Sequence, residues 1–166
     1  MRIELRPLTP EDGPDIYDML QEMPSDENGF MNGVRGKTYE EYRAWLEKCD
    51  RMARGEGLED RMVPQDVYWL YIDGIPVGMG KLRHCLTDKL REEGGHIGYA
   101  IRPSQRGKGY GRLLLRLLLE PARALGIGRV LITVRNHNAA SVRVSLANGG
   151  VIERVGAERH YIWIDL

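Results

Sequence analysis

The chain has 166 residues, which suits one domain that buries most of its apolar surface without disulfide or metal staples. Lys+Arg and Asp+Glu are 24 each, so no net charge draws the chain to nucleic acid or an anionic membrane, and neither is expected as a partner. Cys49 and Cys85 form no C-x-x-C pair, the four histidines are scattered, no apolar run reaches membrane-spanning length, and the polar N-terminus is unlike a signal sequence. The composition therefore reads as a cytoplasmic protein with no metal site.

Arg2 to Leu8 sets Ile3, Leu5 and Leu8 against charged residues, as in a half-exposed strand. Thr9 then reads as a helix N-cap, with Pro10 at N1 and Asp12 at N3, before Ile16, Met19, Leu20 and Met23 at helical spacing. Pro24 to Gly36 reads as a loop. Thr38 and Glu41 form a capping-box pattern ahead of Tyr39, Tyr42, Trp45, Leu46 and Cys49 on one helix face. A polar loop from Arg51 to Pro64 follows. Val67 to Ile72 and Ile75 to Cys85 are strand-like and are separated by Asp73-Gly74, a hairpin turn signal. Gly78 and Gly80 leave one face of the second strand open to a backbone or a ligand. Leu86 to Gly94 is a charged connection with room for one helical turn.

His96 to Ile101 alternates Ile97, Tyr99 and Ile101 against His96, Gly98 and Ala100, a strand with one face nearly bare. Pro103 ends it. Arg106, Gly107, Lys108, Gly109, Tyr110 and Gly111 form a turn that opens a leucine-rich helix whose wet side is marked by Arg112, Arg116 and Arg123. Pro121 is expected to kink or break that helix near Leu117. Arg129 to Val134 reads as a buried strand, and Asn138 as the cap of a helix ended by Gly149-Gly150. Val151 to Arg154 and His160 to Ile164 are closing strands.

A strand, a glycine-rich turn and a helix N-terminus make an anion site, because unpaired N–H groups and the helix dipole converge there. The P-loop pattern fails, because Gly107-Lys108 is followed by Gly109 rather than Ser or Thr. The dinucleotide fingerprint fails at Arg112. The pattern present is R-x-x-G-x-G, at Arg106, Gly109 and Gly111.

That pattern and the element order resemble the GNAT superfamily of N-acetyltransferases from end to end. The run Gly94-Gly95-His96-Ile97-Gly98-Tyr99, with Asn138, Ala140, Ser141 and Asn148-Gly149-Gly150, is similar to a branch of predicted bacterial acetyltransferases. The resemblance implies an α/β (α+β) fold, a mixed central sheet of about seven strands flanked by about four helices, in one domain over residues 1–166. It implies acetyl-CoA as the bound cofactor. Ala100, Ile101 and Arg102, the turn residues Arg106, Gly107, Lys108, Gly109, Tyr110, Gly111 and Arg112, and Asn138 with Ser141 are then expected to contact it. The bare Gly98/Ala100 face would admit the pantetheine arm.

In this family a glutamate is often placed near the position of Gly95. Here His96 is the candidate base, and the backbone near Tyr99 to Ile101 the oxyanion donor. The family's tyrosine seven residues after the asparagine is Ser145 here, which leaves Tyr99, Tyr110, Tyr161 or water to protonate the thiolate. The implied acceptor is a primary amine of a small molecule or peptide, held between Pro24–Gly36 and Val155–His160, with Asp26, Glu27 and Glu158 as acids that attract it. A homodimer is left open. The alternatives are a non-catalytic acyl-CoA-binding module on the same fold and a nucleotide-binding protein using the same turn.

Overall fold

The computed structural model describes Met1–Leu166. Nine strands and five α-helices follow the order β1 (Ile3–Pro7), α1 (Pro14–Glu22), β2 (Asp26–Glu27), β3 (Phe30–Met31), α2 (Tyr39–Ala53), β4 (Gln65–Ile72), β5 (Ile75–Arg83), α3 (Asp88–Glu92), β6 (Ile97–Ile101), α4 (Tyr110–Ala124), β7 (Arg129–Arg135), α5 (Ala139–Ala147), β8 (Val151–Val155) and β9 (Arg159–Asp165). Seven strands form two sheets, ordered β1-β4-β5-β6 and β7-β9-β8, with every pairing antiparallel. β2 and β3 form a separate hairpin. None of the helices is long and apolar enough to cross a membrane.

The period-2 alternation of β4 divides the core. Val67, Trp69 and Tyr71 face α1 and α2, where they pack with Ile16, Met19, Leu20, Tyr42 and Leu46. Leu70 and Ile72 face the other way and meet Leu114, Leu115 and Leu118 of α4. Each such side chain contributes about 1.5–3 kcal/mol on burial. Gly78 and Gly80 are bare because α4 lies on them: a Cβ on Gly80 would stand 2.6 Å from Leu118 Cδ1. The close approach there is made by helix side chains and not by a ligand.

Several expectations change. α1 is capped by Gly13 with Pro14 at its start, not by Thr9. Thr9 instead closes a turn, its N–H donating to Asp12 Oδ2 at 2.9 Å, and Trp69 Nε1 donates to the same oxygen at 2.7 Å. The segment read as a loop contains the β2-β3 hairpin, whose Asn28-Gly29 turn is itself a hairpin signal. α4 is not broken at Pro121. Only one turn remains beyond the proline, and buried Leu118, Leu119 and Ala122 hold it to the sheet. The capping box at Thr38 and Glu41, the Asp73-Gly74 turn and the Asn138 cap form as expected.

Candidate active site

β6 and β7 touch at one end only. His96 N–H donates to the Leu131 carbonyl at 2.9 Å, Leu131 N–H donates to His96 Nδ1 at 2.9 Å, and Gly94 N–H donates to Thr133 Oγ1 at 2.9 Å. Beyond this clasp the two strands lie in different sheets. The bonds from Arg83 N–H to the His96 carbonyl and from Arg102 N–H to the Val77 carbonyl set the phase of the β5-β6 ladder. The backbone groups of Ile97, Tyr99 and Ile101 therefore point to the open edge.

At the far end of that edge lies the turn into α4. The N–H groups of Gly107, Lys108, Gly109, Tyr110, Gly111 and Arg112 have no acceptor within the protein. Gly109 has φ of 82°, the left-handed conformation that points this run of amides outward and that a β-branched residue resists. The turn opens on a cleft of about 700 Å³ lined by Tyr99, Ala100, Ile101, Arg106, Asn138 and Ser141 among others. A second, tighter cavity of about 140 Å³ lies between the hairpin and the β6-β7 gap. Glu27, Asn28, Tyr99, Asn138 and Ser141 line both, so the two meet there.

Within this frame the expected residues separate. Gly107, Gly109, Tyr110, Gly111 and Arg112 line the large cleft. Asn138 Oδ1 accepts from Ser141 N–H at 3.3 Å, which caps α5 and turns the side chain to both cavities. Tyr99 Oη and Ser141 Oγ are 2.8 Å apart, and burial raises the phenol's pKa, so it stays protonated. Three cations are engaged by groups of the protein itself. Arg102 donates to Glu22 Oε1 and the Pro76 carbonyl and lines neither cavity. Lys108 is exposed and donates to Gln105 Oε1. Arg106 lines the large cleft, but its Nε donates to the Ile101 carbonyl at 3.0 Å and its Nη2 to Glu27 Oε1 at 2.6 Å. It pins the turn to the hairpin.

His96 is 6% exposed and lines neither cavity. Its Nδ1 is occupied by the Leu131 amide, and burial, with the charges of Arg91 and Arg83, lowers its pKa to about 4. Ser145 is fully buried and donates to the Ser141 carbonyl at 2.9 Å. Tyr161 is buried and donates to the Glu92 carbonyl. The Gly98 face meets the Phe30 ring at 3.4 Å from a built Cβ, so the hairpin covers it. What stays open is the strand edge, perpendicular to that face. Asp26 and Glu158 do not line the smaller cavity, and Glu27 is paired with Arg106.

Sequence reasoning missed Lys81, Arg83, Arg135 and Arg159, which line the smaller cavity with only Glu27 and Glu93 as acids. Alternation in β5 puts Lys81 and Arg83 on one face, but nothing local in the sequence says that this face meets the end of β7.

A family model described as "Acetyltransferase (GNAT) domain" matches residues 2–151. L-methionine sulfoximine/L-methionine sulfone acetyltransferases of two Pseudomonas strains, P. paraeruginosa PA7 and P. aeruginosa PAO1, are each 37% identical over 70 residues. That stretch covers 40% of this chain and 40% of each relative. Among solved structures, the ribosomal L7/L12 alpha-N-protein acetyltransferase RimL with coenzyme A aligns with a TM-score of 0.73 at 18% identity, covering 99% of this chain and 94% of that one. Campylobacter jejuni N-acetyltransferase PseH in complex with acetyl coenzyme A aligns at 0.65 and 14% identity, covering 99% of each chain. With the family model spanning nearly the whole sequence, the chain belongs to the GNAT acetyltransferases, enzymes that use acetyl-CoA as co-substrate.

Proposed function

We propose that residues 1–166 form one acetyltransferase domain that moves the acetyl group of acetyl-CoA directly onto the primary amine of a small molecule. The observation that carries this reading is the row of unpartnered amides from Gly107 to Arg112, opening on a cleft that joins a second cavity beside Tyr99. Those amides and the N-terminus of α4 suit the pyrophosphate. The open edge of β6 suits the amides of the pantetheine arm, and Asn138 stands where both cavities meet. A backbone N–H on that edge, at Tyr99 or Ile101, would stabilise the charge that develops on the thioester oxygen.

Tyr99, protonated and between the two cavities, is the group placed to give a proton to the departing thiolate. His96 is better read as the clasp between the strands than as the base. A ring whose conjugate acid has a pKa near 4 takes protons poorly from an ammonium group. The amine proton then leaves through water in the smaller cavity. The Pseudomonas relatives act on methionine sulfoximine and methionine sulfone, which supports a small acceptor. The two free cysteines, Cys49 and Cys85, suit a reducing cytoplasm.

The test is binding followed by turnover. Acetyl-CoA at about 100 times its Kd should stabilise the fold by about 2.7 kcal/mol, whereas ATP and NAD should not. CoA release should depend on added amine. Stabilisation without release from any amine supports the binding-module alternative instead.

A further inference from the structure

We propose that the acceptor is a small amine that also carries a carboxylate, and that Lys81, Arg83 and Arg135 receive that carboxylate in the smaller cavity. This rests on the acetyltransferase reading above.

Six charged side chains line the cavity: Glu27, Lys81, Arg83, Glu93, Arg135 and Arg159. Both acids are taken. Glu27 pairs with Arg106 at 2.6 Å, and Glu93 pairs with Arg159 at 3.4 Å. Arg159 has a second acid in Glu158, at 3.2 Å. The remaining three cations have no carboxylate within ion-pair distance. Arg83 Nη1 donates only to the Gly94 and Gly95 carbonyls. Lys81 Nζ donates to the Met31 carbonyl at 2.7 Å and lies 4.5 Å from the centre of the Phe30 ring. Arg135 makes no hydrogen bond through its side chain, and its guanidinium stands against Gly29, 3.6 Å from a built Cβ.

The three reach the cavity from both sides of the gap, Lys81 and Arg83 from β5 and Arg135 from the end of β7. Like charges gathered in a partly buried space repel one another and have lost part of their hydration. That field already acts within the site, since burial and the nearby Arg83 draw the Lys81 ammonium down to about 8. A polyamine would add positive charge to it. A carboxylate would neutralise it, and the arginine fork binds that group with paired N–H donors. The volume of about 140 Å³ is on the scale of an amino acid. A protein N-terminus also brings no carboxylate next to its amine.

The experiment measures CoA release from acetyl-CoA with free L-amino acids, the corresponding amino acid amides, and spermidine. The free acids should exceed their amides by about 10²-fold in kcat/KM, mostly through KM. Arg135→Gln should raise KM for the acids by about tenfold with kcat near wild type, and should leave the amides unchanged. Circular dichroism and the acetyl-CoA thermal shift confirm that the variant is folded and loaded. Amides or spermidine used as well as the acids would overturn the proposal while leaving the acetyltransferase reading intact. An unchanged acid-to-amide ratio in Arg135→Gln would overturn the part assigned to Arg135. No release from any amine would remove both.

Discussion

Replacing His96 by leucine separates a clasp from a base. The substitution puts an apolar group of similar volume in place of the ring and removes the nitrogen that accepts from Leu131 N–H. A buried amide left without an acceptor costs about 1–3 kcal/mol. In a domain of this size 1 kcal/mol moves Tm by about 2–4 °C, so the variant should melt about 2–12 °C lower near pH 8. The histidine also imposes a pH dependence. Its pKa in the folded protein is about 4, against an ordinary value of 6.5, so between those values the unfolded chain binds more protons than the native one. Wild-type stability from this group is present above pH 6.5 and is lost as pH falls toward 4. The linkage relation gives a loss of about 2 kcal/mol at pH 5 relative to pH 8. His96→Leu has no such group, so the gap between the two proteins should close by about that amount at pH 5. Thermal and urea unfolding at both pH values read this directly, with kcat measured on the folded fraction. A variant with unchanged Tm and pH slope but kcat lowered about 10²-fold would refute the clasp and restore His96 as the base.

Gly109→Val should remove acetyl-CoA binding and leave the far-ultraviolet circular dichroism of the fold intact. A β-branched residue resists a φ of 82°, and no neighbour lies within 4 Å to be displaced; calorimetry with wild-type affinity would show that this turn does not hold the pyrophosphate. Lys108→Ala is the companion, and because Lys108 reaches only Gln105 it should weaken binding no more than several-fold. Tyr99→Phe should lower kcat about 10²-fold with acetyl-CoA affinity within a few-fold of wild type, whereas Ser145→Ala, altering only an internal bond of α5, should change Tm and not kcat. Wild-type kcat in Tyr99→Phe would mean that the thiolate leaves without this acid.

The features readable from the amino-acid order are those that depend on hydrogen bonds within a few residues. Thr38 and Glu41 satisfy each other across one helical turn, Asp73-Gly74 closes a two-residue hairpin, and Asn138 caps its own helix. The glycine turn belongs to this class too, because its outward amides follow from local backbone conformation and from the start of α4. That is why the shape of the turn was legible.

The side-chain directions were settled only by tertiary structure, because each depends on a partner remote in the chain. Glu27 and Arg106 are 79 residues apart, and their ion pair ties the turn to the hairpin, a contact no local pattern announces. Asp12 and Trp69, 57 apart, hold the turn that delays α1. His96 meets Leu131 across 35 residues, which makes it a strand clasp rather than a free imidazole. The cluster of cations in the smaller cavity arises in the same way. Lys81, Arg83 and Arg135 read as ordinary strand-edge charges until the two sheets bring the end of β7 opposite β5 and leave them without acids.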